Sequence, residues 1–313
     1  MRVFIAGATG VLGRGLIEQL TARGHSVIGL ARDQNGERLV RSLGGESCAA
    51  DIFDVESLTR AAKGSDVVIH AATSIPTKTR TSVRDWEMND RLRRDGTRVL
   101  TECTARIGAK LYLQQSIVWL ARPTDGSFFD ETSAAHPDAI SASALDSETI
   151  AFDAGKQFGF NVSVLRCGSF YGPDSSLTRM MGDLLVKRRF PIIGRGDAIL
   201  SFLHTDDAAG AFVAASERNM VGLWHVVDDQ NIAVKDFLNY FARLLGVPAP
   251  RSVPIWLARL FAGKYVADFF TSSVRTSNAL FRRDFGWSPR FPTFKEGLDQ
   301  VVRVWNSSNS RMR

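Results

Sequence analysis

Gly7-Ala8-Thr9-Gly10-Val11-Leu12-Gly13 is the part of this chain whose spacing speaks most directly of chemistry. It follows the apolar run Val3-Phe4-Ile5-Ala6, and Leu16, Ile17 and Leu20 recur behind it at helical spacing before Gly24. Strand, Gly-rich turn and helix in that order form a pyrophosphate cradle. The first glycine permits a tight turn, the second lets backbone approach a phosphate, and the third lets helix and strand pack closely. The helix N-terminus adds unpaired N–H groups and a positive dipole end. Gly7, Thr9, Gly10, Val11, Leu12 and Gly13 are therefore expected cofactor contacts. The next β-type run, Ser26 to Leu30, ends in Ala31-Arg32-Asp33. An acid at this place would hold a ribose 2′-OH, whereas the Arg32 guanidinium suits a 2′-phosphate. Asp33 leaves NADH open, but Arg32, with Arg38 and Arg41 close behind, selects NADPH as the expected cofactor.

Those groups must be positioned by alternating elements. Strands are expected at residues 46–50, 66–70, 110–115 and 161–166, with helices at 55–63, 85–107 and 138–158 between them. This alternation predicts an α/β fold with a Rossmann-type doubly wound parallel sheet. Residues 198–218 read as strand then helix, 222–227 as a strand, and the chain past 233 as mainly helical, with prolines at 248, 250, 254, 289 and 292. The expected division is a nucleotide-binding unit of residues 1–168 and 203–232, a smaller substrate lobe of 169–202 and 233–305, and a flexible tail of 306–313.

Composition narrows the function class. Hydrophobic residues make up 44% and charged residues 23% of 313, as in a globular protein that stays in water. No apolar run is long enough to span a bilayer, and Met1-Arg2-Val3 enters a strand without a signal-peptide pattern, so neither a membrane partner nor secretion is expected. Cys48, Cys103 and Cys167 lack metal spacing and point to a reducing, cytoplasmic setting without disulfides or a metal site. The net charge of +6 is dispersed; its densest patch, Arg91-Leu92-Arg93-Arg94, reads as a solvated helix face, and no nucleic-acid partner is expected. The oligomeric state is open.

Taken together these motifs resemble the extended short-chain dehydrogenase/reductase family of NAD-dependent epimerases and dehydratases. Gly7-x-x-Gly10-x-x-Gly13 is similar to its nucleotide motif, and Ala50-Asp51-Ile52 to its adenine-binding acid after the third strand. His70-Ala71-Ala72-Thr73 resembles the segment beneath the adenosine ribose and nicotinamide. Leu165-Arg166, Tyr171-Gly172-Pro173 and the run Phe202 to Ala208 resemble landmarks around the substrate lobe. The segments Gln114 to Trp119, Val227-Asp228-Asp229 and Ser277-Asn278 are similar to atypical epimerase-like members. The resemblance implies cofactor contacts from Asp51, Ile52, Ala71, Ala72, Thr73 and Gln115, and substrate contacts from Ser116, Ile140, Phe170 and Tyr171; the apolar stretch Val253 to Phe261, a core-packing helix or a substrate wall, adds Trp256 and Phe261 as expected substrate contacts.

The same resemblance implies a catalytic Ser/Thr, Tyr and Lys, and this chain departs from it. Gln115 stands at the hydroxyl position, with Ser116 one place off; Ile140 falls on the Tyr and Ala144 on the Lys, and residues 134–158 contain no tyrosine. Ser116 and Ser143 are the weak remaining hydroxyl candidates, and His136 and His204 read as structural. Two function classes follow. One is an NAD(P)H-dependent ketoreductase that lacks a general acid of its own, similar to ketoreductases of aromatic polyketide tailoring. There the ketone's own phenol would support the oxygen, and the small-molecule substrate would be bulky and aromatic. The other is a catalytically inactive NADP-binding sensor or scaffold. A nucleotide-sugar epimerase or dehydratase ranks below both, since those reactions need base chemistry. Residues 250–275, apolar from Pro254 to Phe270 and interrupted at Gly263, are expected to form one or two helices that wall the nicotinamide site.

Overall fold

The computed structural model describes residues 1–76, 78 and 80–310. Continuous apolar runs become strands buried on both faces, as a parallel sheet covered by helices requires. The strands are β1 (Arg2–Ala6), β2 (Ser26–Ala31), β3 (Glu46–Ala49), β4 (Val67–His70), β5 (Leu111–Ile117), β6 (Asn161–Cys167), β7 (Ser169–Tyr171), β8 (Ile192–Ile193), β9 (Ile199–His204), β10 (Gly222–Val226), β11 (Asn231–Ala233) and β12 (Ser252–Val253). The helices are α1 (Val11–Ala22), α2 (Gln34–Ser42), α3 (Val55–Ala61), α4 (Glu87–Arg91), α5 (Thr97–Ile107), α6 (Ala142–Phe158), α7 (Ser176–Val186), α8 (Thr205–Arg218), α9 (Val234–Leu244), α10 (Ile255–Ala262), α11 (Lys264–Thr271), α12 (Ala279–Phe285) and α13 (Phe294–Ser310).

Seven parallel strands form one sheet in the order β10-β6-β5-β4-β1-β2-β3. The order reverses between β1 and β4, so a crevice opens outside their C-terminal ends, where doubly wound sheets bind dinucleotides. One face of the sheet is covered by α1 and α8, which pack on each other; the other carries α3, α5 and α6 side by side. A second core lies under the three-stranded sheet β11-β9-β7, around Phe202, Phe237, Phe241 and Trp305. Phe202 and Phe237 stack there at 4.2 Å between ring centroids.

The lobe boundaries differ from the sequence reading in three places. The strand β9 and the start of β11 fall within or beside the segment 203–232, yet both pair in the small sheet. Conversely α12, expected in the lobe, returns to the large sheet: Phe281, Phe285 and Trp287 join the core of α1 and α8, and Trp224 on β10 meets Phe285 edge-on. The tail expected from residue 306 continues α13 through Ser310, because Val301, Val302 and Trp305 are anchored in the lobe core and carry the helix on; residues 311–313 lie outside the described residues.

Candidate active site

The phosphate turn is built by sterics. Gly7 adopts φ +94°, and a Cβ there would sit 2.5 Å from the backbone of Ala71 and Ala72. A Cβ on Gly13 would lie 2.2 Å from the Gly7 carbonyl oxygen, so only hydrogen lets α1 seat against β1. Gly10 is the N-cap of α1 and is exposed, with its N–H donating to the Gly7 carbonyl at 3.0 Å. Thr9 and Val11 are half-buried around it, while Leu12 and Gly13 face the core, where they shape the turn from behind. Arg14 braces the turn, donating to the Thr9 carbonyl at 3.1 Å and to that of Asp174 at 2.9 Å.

At the end of β2, Arg32 is exposed, and Asp33 is the N-cap of α2, its carboxylate accepting from Gly36 N at 2.8 Å. Asp33 thus has a structural task. Asp51 is exposed and accepts from Phe53 N, with Ile52 half-buried beside it. After β4, Ala71 is buried, Ala72 half-buried and Thr73 exposed along the edge of the crevice. Beneath them His70 is sealed in, its Nδ1 3.0 Å from the Tyr112 hydroxyl, and burial lowers its pKa to about 4. Gln115, at the C-terminal end of β5, is half-buried.

The expected catalytic region is fully engaged. Ser116 is 2% exposed, and its hydroxyl donates to Glu148 Oε1 at 2.5 Å. Arg166 grips the same carboxylate with two bonds of 2.9 and 2.7 Å. Its fork geometry and burial make this pair a structural clamp between β5, β6 and α6. The helix expected from 138 begins only at Ala142, because the Asp138 carboxylate accepts from Ile140 N, Ser141 N and the Ser141 hydroxyl and fixes a turn before it. Ile140 therefore stands in that turn, half-buried. Ala144 is 1% exposed and packs with Ile117 and Leu120. Ser143 is buried, and its hydroxyl and the Ile140 carbonyl face the same Arg93 Nη1 at 3.4 and 3.5 Å.

Of the expected substrate contacts on β7, one is buried and one half-buried. Tyr171 is 2% exposed in the lobe core and donates to Asp228 Oδ2 at 3.0 Å, and Phe170 packs partly buried on the core of the large sheet. They are neighbours on β7 and so point to opposite faces, Tyr171 to the lobe core and Phe170 to the core of the large sheet. His204 is buried as the N-cap of α8, and His136 is exposed in a loop. The segment 250–275 does form two helices, α10 and α11, joined at Gly263. Phe269 on α11 meets Trp119, just past β5, edge-on at 5.7 Å, while Trp256 and Phe261 on α10 are 67% and 70% exposed.

One part of the site escaped the sequence reading. The helix expected over 85–107 is broken into a 3-10 turn at Val83–Trp86, α4, a π-helical turn at Leu92–Gly96, and α5. The π turn shifts the register, so the basic run is not one solvated face. Arg91 stacks over Phe53 at 3.9 Å and Arg94 pairs with Asp146 at 2.6 Å, but Arg93 is only 7% exposed. Trp86, Asn89, Asp90 and Arg93 recur at i, i+3, i+4 and i+7, a polar helical stripe that was the available signal.

The family model for the NAD dependent epimerase/dehydratase family matches residues 3–225. The chain belongs to that family. Within it, the chain is an atypical extended short-chain dehydrogenase/reductase and an NAD(P)H-dependent oxidoreductase. It is similar to a 3-diazoavenalumate denitrifying reductase of a Streptomyces species, 33% identical across 95% of this chain and 99% of the relative. It is also similar to a 4-hydroxy-2-methyl-3-oxo-4-farnesyl-3,4-dihydroquinoline-1-oxide ketoreductase of Stigmatella aurantiaca, 25% identical across 84% of this chain and 79% of that protein. In fold it matches a human epimerase family protein crystallised with NADPH, with a TM-score of 0.81 and 20% identity over 97% of this chain and 99% of the other. No helix among the described residues is long and apolar enough to cross a membrane.

Proposed function

We propose that this family member is an NADPH-dependent ketoreductase for a bulky aromatic substrate and that it works without a side-chain general acid. The observation that carries this reading is the first turn of α6. Ile140 and Ala144 replace the pair that the family resemblance implies, and the hydroxyls of Ser116, Ser141 and Ser147 already donate to Glu148, Asp138 and the Ala144 carbonyl, while that of Ser143 lies 3.4 Å from Arg93 Nη1. Gly7, Gly10 and Gly13 would seat the pyrophosphate, and Arg32 would hold the 2′-phosphate, since Asp33 is committed to capping α2. The bound reduced nicotinamide would supply hydride. The protein would then hold the carbonyl carbon against it, keep water out and leave the proton to the substrate. A phenol beside the ketone can bridge to the developing oxyanion, so such a substrate needs no tyrosine. Trp119 and Phe269, which meet edge-on, together with Ile140 and the exposed Trp256 and Phe261 of α10, would supply apolar contacts suited to fused aromatic rings. The names of the two relatives, a denitrifying reductase and a ketoreductase, support the reductase class.

The test is to mix the protein with NADPH and a panel of aryl ketones and follow nicotinamide absorbance. NADPH oxidation with phenol-flanked ketones supports the reading; absence of oxidation across the panel, with NADPH bound, ends it.

A further inference from the structure

Residues 86–93 present one helical face whose polar atoms are buried and under-satisfied. Asn89 is 0% exposed; its Oδ1 accepts from Ser74 N at 3.0 Å, but its Nδ2 has no partner among the described residues. Trp86 Nε1 and Asp90 Oδ1 are likewise buried without a partner among the described residues. Arg93, one turn on, reaches only the Ile140 carbonyl at 3.5 Å and the Ser143 hydroxyl at 3.4 Å, both beyond the usual N–H···O range. Asp90 and Glu148 are near enough to attract it, but neither hydrogen-bonds it among the described residues: Glu148 is held by Arg166, and Asp90 Oδ1 has no partner. Burying polar groups unpaired is costly, and a buried cation without good hydrogen bonds more so. The two ends of the face are fixed by what they touch. Ser74 lies just past the C-terminal end of β4, and Ile140 precedes α6. The unsatisfied stripe therefore borders the same crevice as Ala71 to Thr73 and the turn that replaces the family's tyrosine.

We infer that this stripe is the polar recognition surface for the oxygen-bearing edge of the substrate, with Arg93 as the catalytic residue that holds the carbonyl oxygen as it takes up negative charge. The inference rests on the reductase reading and deepens it, since it assigns the substrate an edge rich in carbonyl and hydroxyl groups facing three donors and one acceptor. In the step, the carbonyl carbon gains a C–H bond with hydride from the reduced nicotinamide, which is thereby oxidised. The carbonyl π pair passes to oxygen, and the guanidinium N–H groups donate to that oxyanion. The neighbouring phenol gives the oxyanion its proton and is reprotonated by water. Asp90 accepts from a second hydroxyl. Preorganised donors aimed at a developing oxyanion, in a site without bulk water, are the kind of group that replaces an acid.

The experiment measures binding as well as turnover. 1-Naphthoate places a carboxylate where the oxyanion would form, and 1-acetylnaphthalene is its neutral counterpart; affinities for the NADP⁺-loaded protein are read by calorimetry. Arg93→Gln should weaken 1-naphthoate about tenfold or more while leaving 1-acetylnaphthalene and NADPH affinities within about twofold. Arg93→Lys should recover part of the loss. With an accepted ketone, Arg93→Gln should lower kcat about 10²–10³-fold with little change in KM. Asp90→Asn, which keeps Arg93, should tighten 1-naphthoate by removing a like charge, and it decides the matter should Arg93→Gln fail to fold. Unchanged 1-naphthoate affinity in folded Arg93→Gln, or in Asp90→Asn when only that variant folds, overturns the assignment. If the wild type binds 1-naphthoate through Arg93 yet oxidises NADPH with no ketone, the reductase reading fails and the anion site stands.

Discussion

Replacing Glu148 by Gln should separate a structural clamp from a catalytic hydroxyl. The carboxylate is 3% exposed and accepts three hydrogen bonds, one from the Ser116 hydroxyl and two from Arg166, itself 4% exposed. Glutamine keeps the volume and one acceptor oxygen. It removes the charge and sets an amide N–H₂ against a guanidinium, leaving a buried cation uncompensated. Breaking one side of a buried pair costs roughly 3–5 kcal/mol, and at about 1.5 °C per kcal/mol for a chain of this length the melting temperature should fall by about 5–8 °C. Ser116→Ala removes only one bond to the carboxylate and should cost roughly 1.5–3 kcal/mol at most. Differential scanning calorimetry gives the stability of both, and NADPH oxidation with an accepted ketone gives kcat. The expected pattern is a large stability loss in Glu148→Gln, a small one in Ser116→Ala, and kcat in folded Ser116→Ala within about tenfold of wild type, short of the 10²–10⁴-fold that a general acid contributes. A Ser116→Ala protein with unchanged melting and kcat down a hundredfold or more would refute the reasoning, since the hydroxyl would then act on substrate.

Arg32→Ala should shrink the preference for NADPH over NADH by more than tenfold, because one charged phosphate contact is worth roughly 1.5–3 kcal/mol; fluorescence titration of both cofactors checks it. Ile140→Tyr with Ala144→Lys should lower stability without raising turnover, since Ala144 is sealed against Ile117 and Leu120 and a lysine there buries its charge; melting and kcat are measured together. Burial, partly opposed by the Tyr171 hydrogen bond, pushes the Asp228 carboxyl up to about 8. Above about pH 4 the unfolded chain has released that proton while the folded chain still holds it. Stability from this group therefore falls as pH rises from about 4 to about 8, and Asp228→Asn should flatten that part of the melting-temperature profile.

The fold was legible wherever a local pattern decides the outcome. The turn Gly7 to Gly13 is steric and contiguous, so its role can be read from spacing alone, and the buried strands β1, β4 and β6 announce themselves as apolar runs. Ser116 looked available because its partners, Glu148 and Arg166, come from α6 and β6, far along the chain. Arg93 looked solvated because a basic run ordinarily is, although its helical spacing from Trp86, Asn89 and Asp90 puts it on their buried face. The late start of α6 was written locally, in the spacing of Asp138 to Ser141, but the helical period beyond it masked the cap. The return of α12 to the large sheet depends on contacts with β10 and α8 that no local window contains.

The most direct test of acid-free reduction is a stopped-flow comparison of an aryl ketone bearing a neighbouring phenol with its O-methyl ether, each mixed with the NADPH-loaded protein. The phenolic ketone should be reduced and the ether should react at least about a hundredfold more slowly, as expected when a proton donor is lost, because Ile140 and Ala144 offer no replacement. Equal rates for the two ketones would contradict the account, since the protein would then be supplying the proton itself.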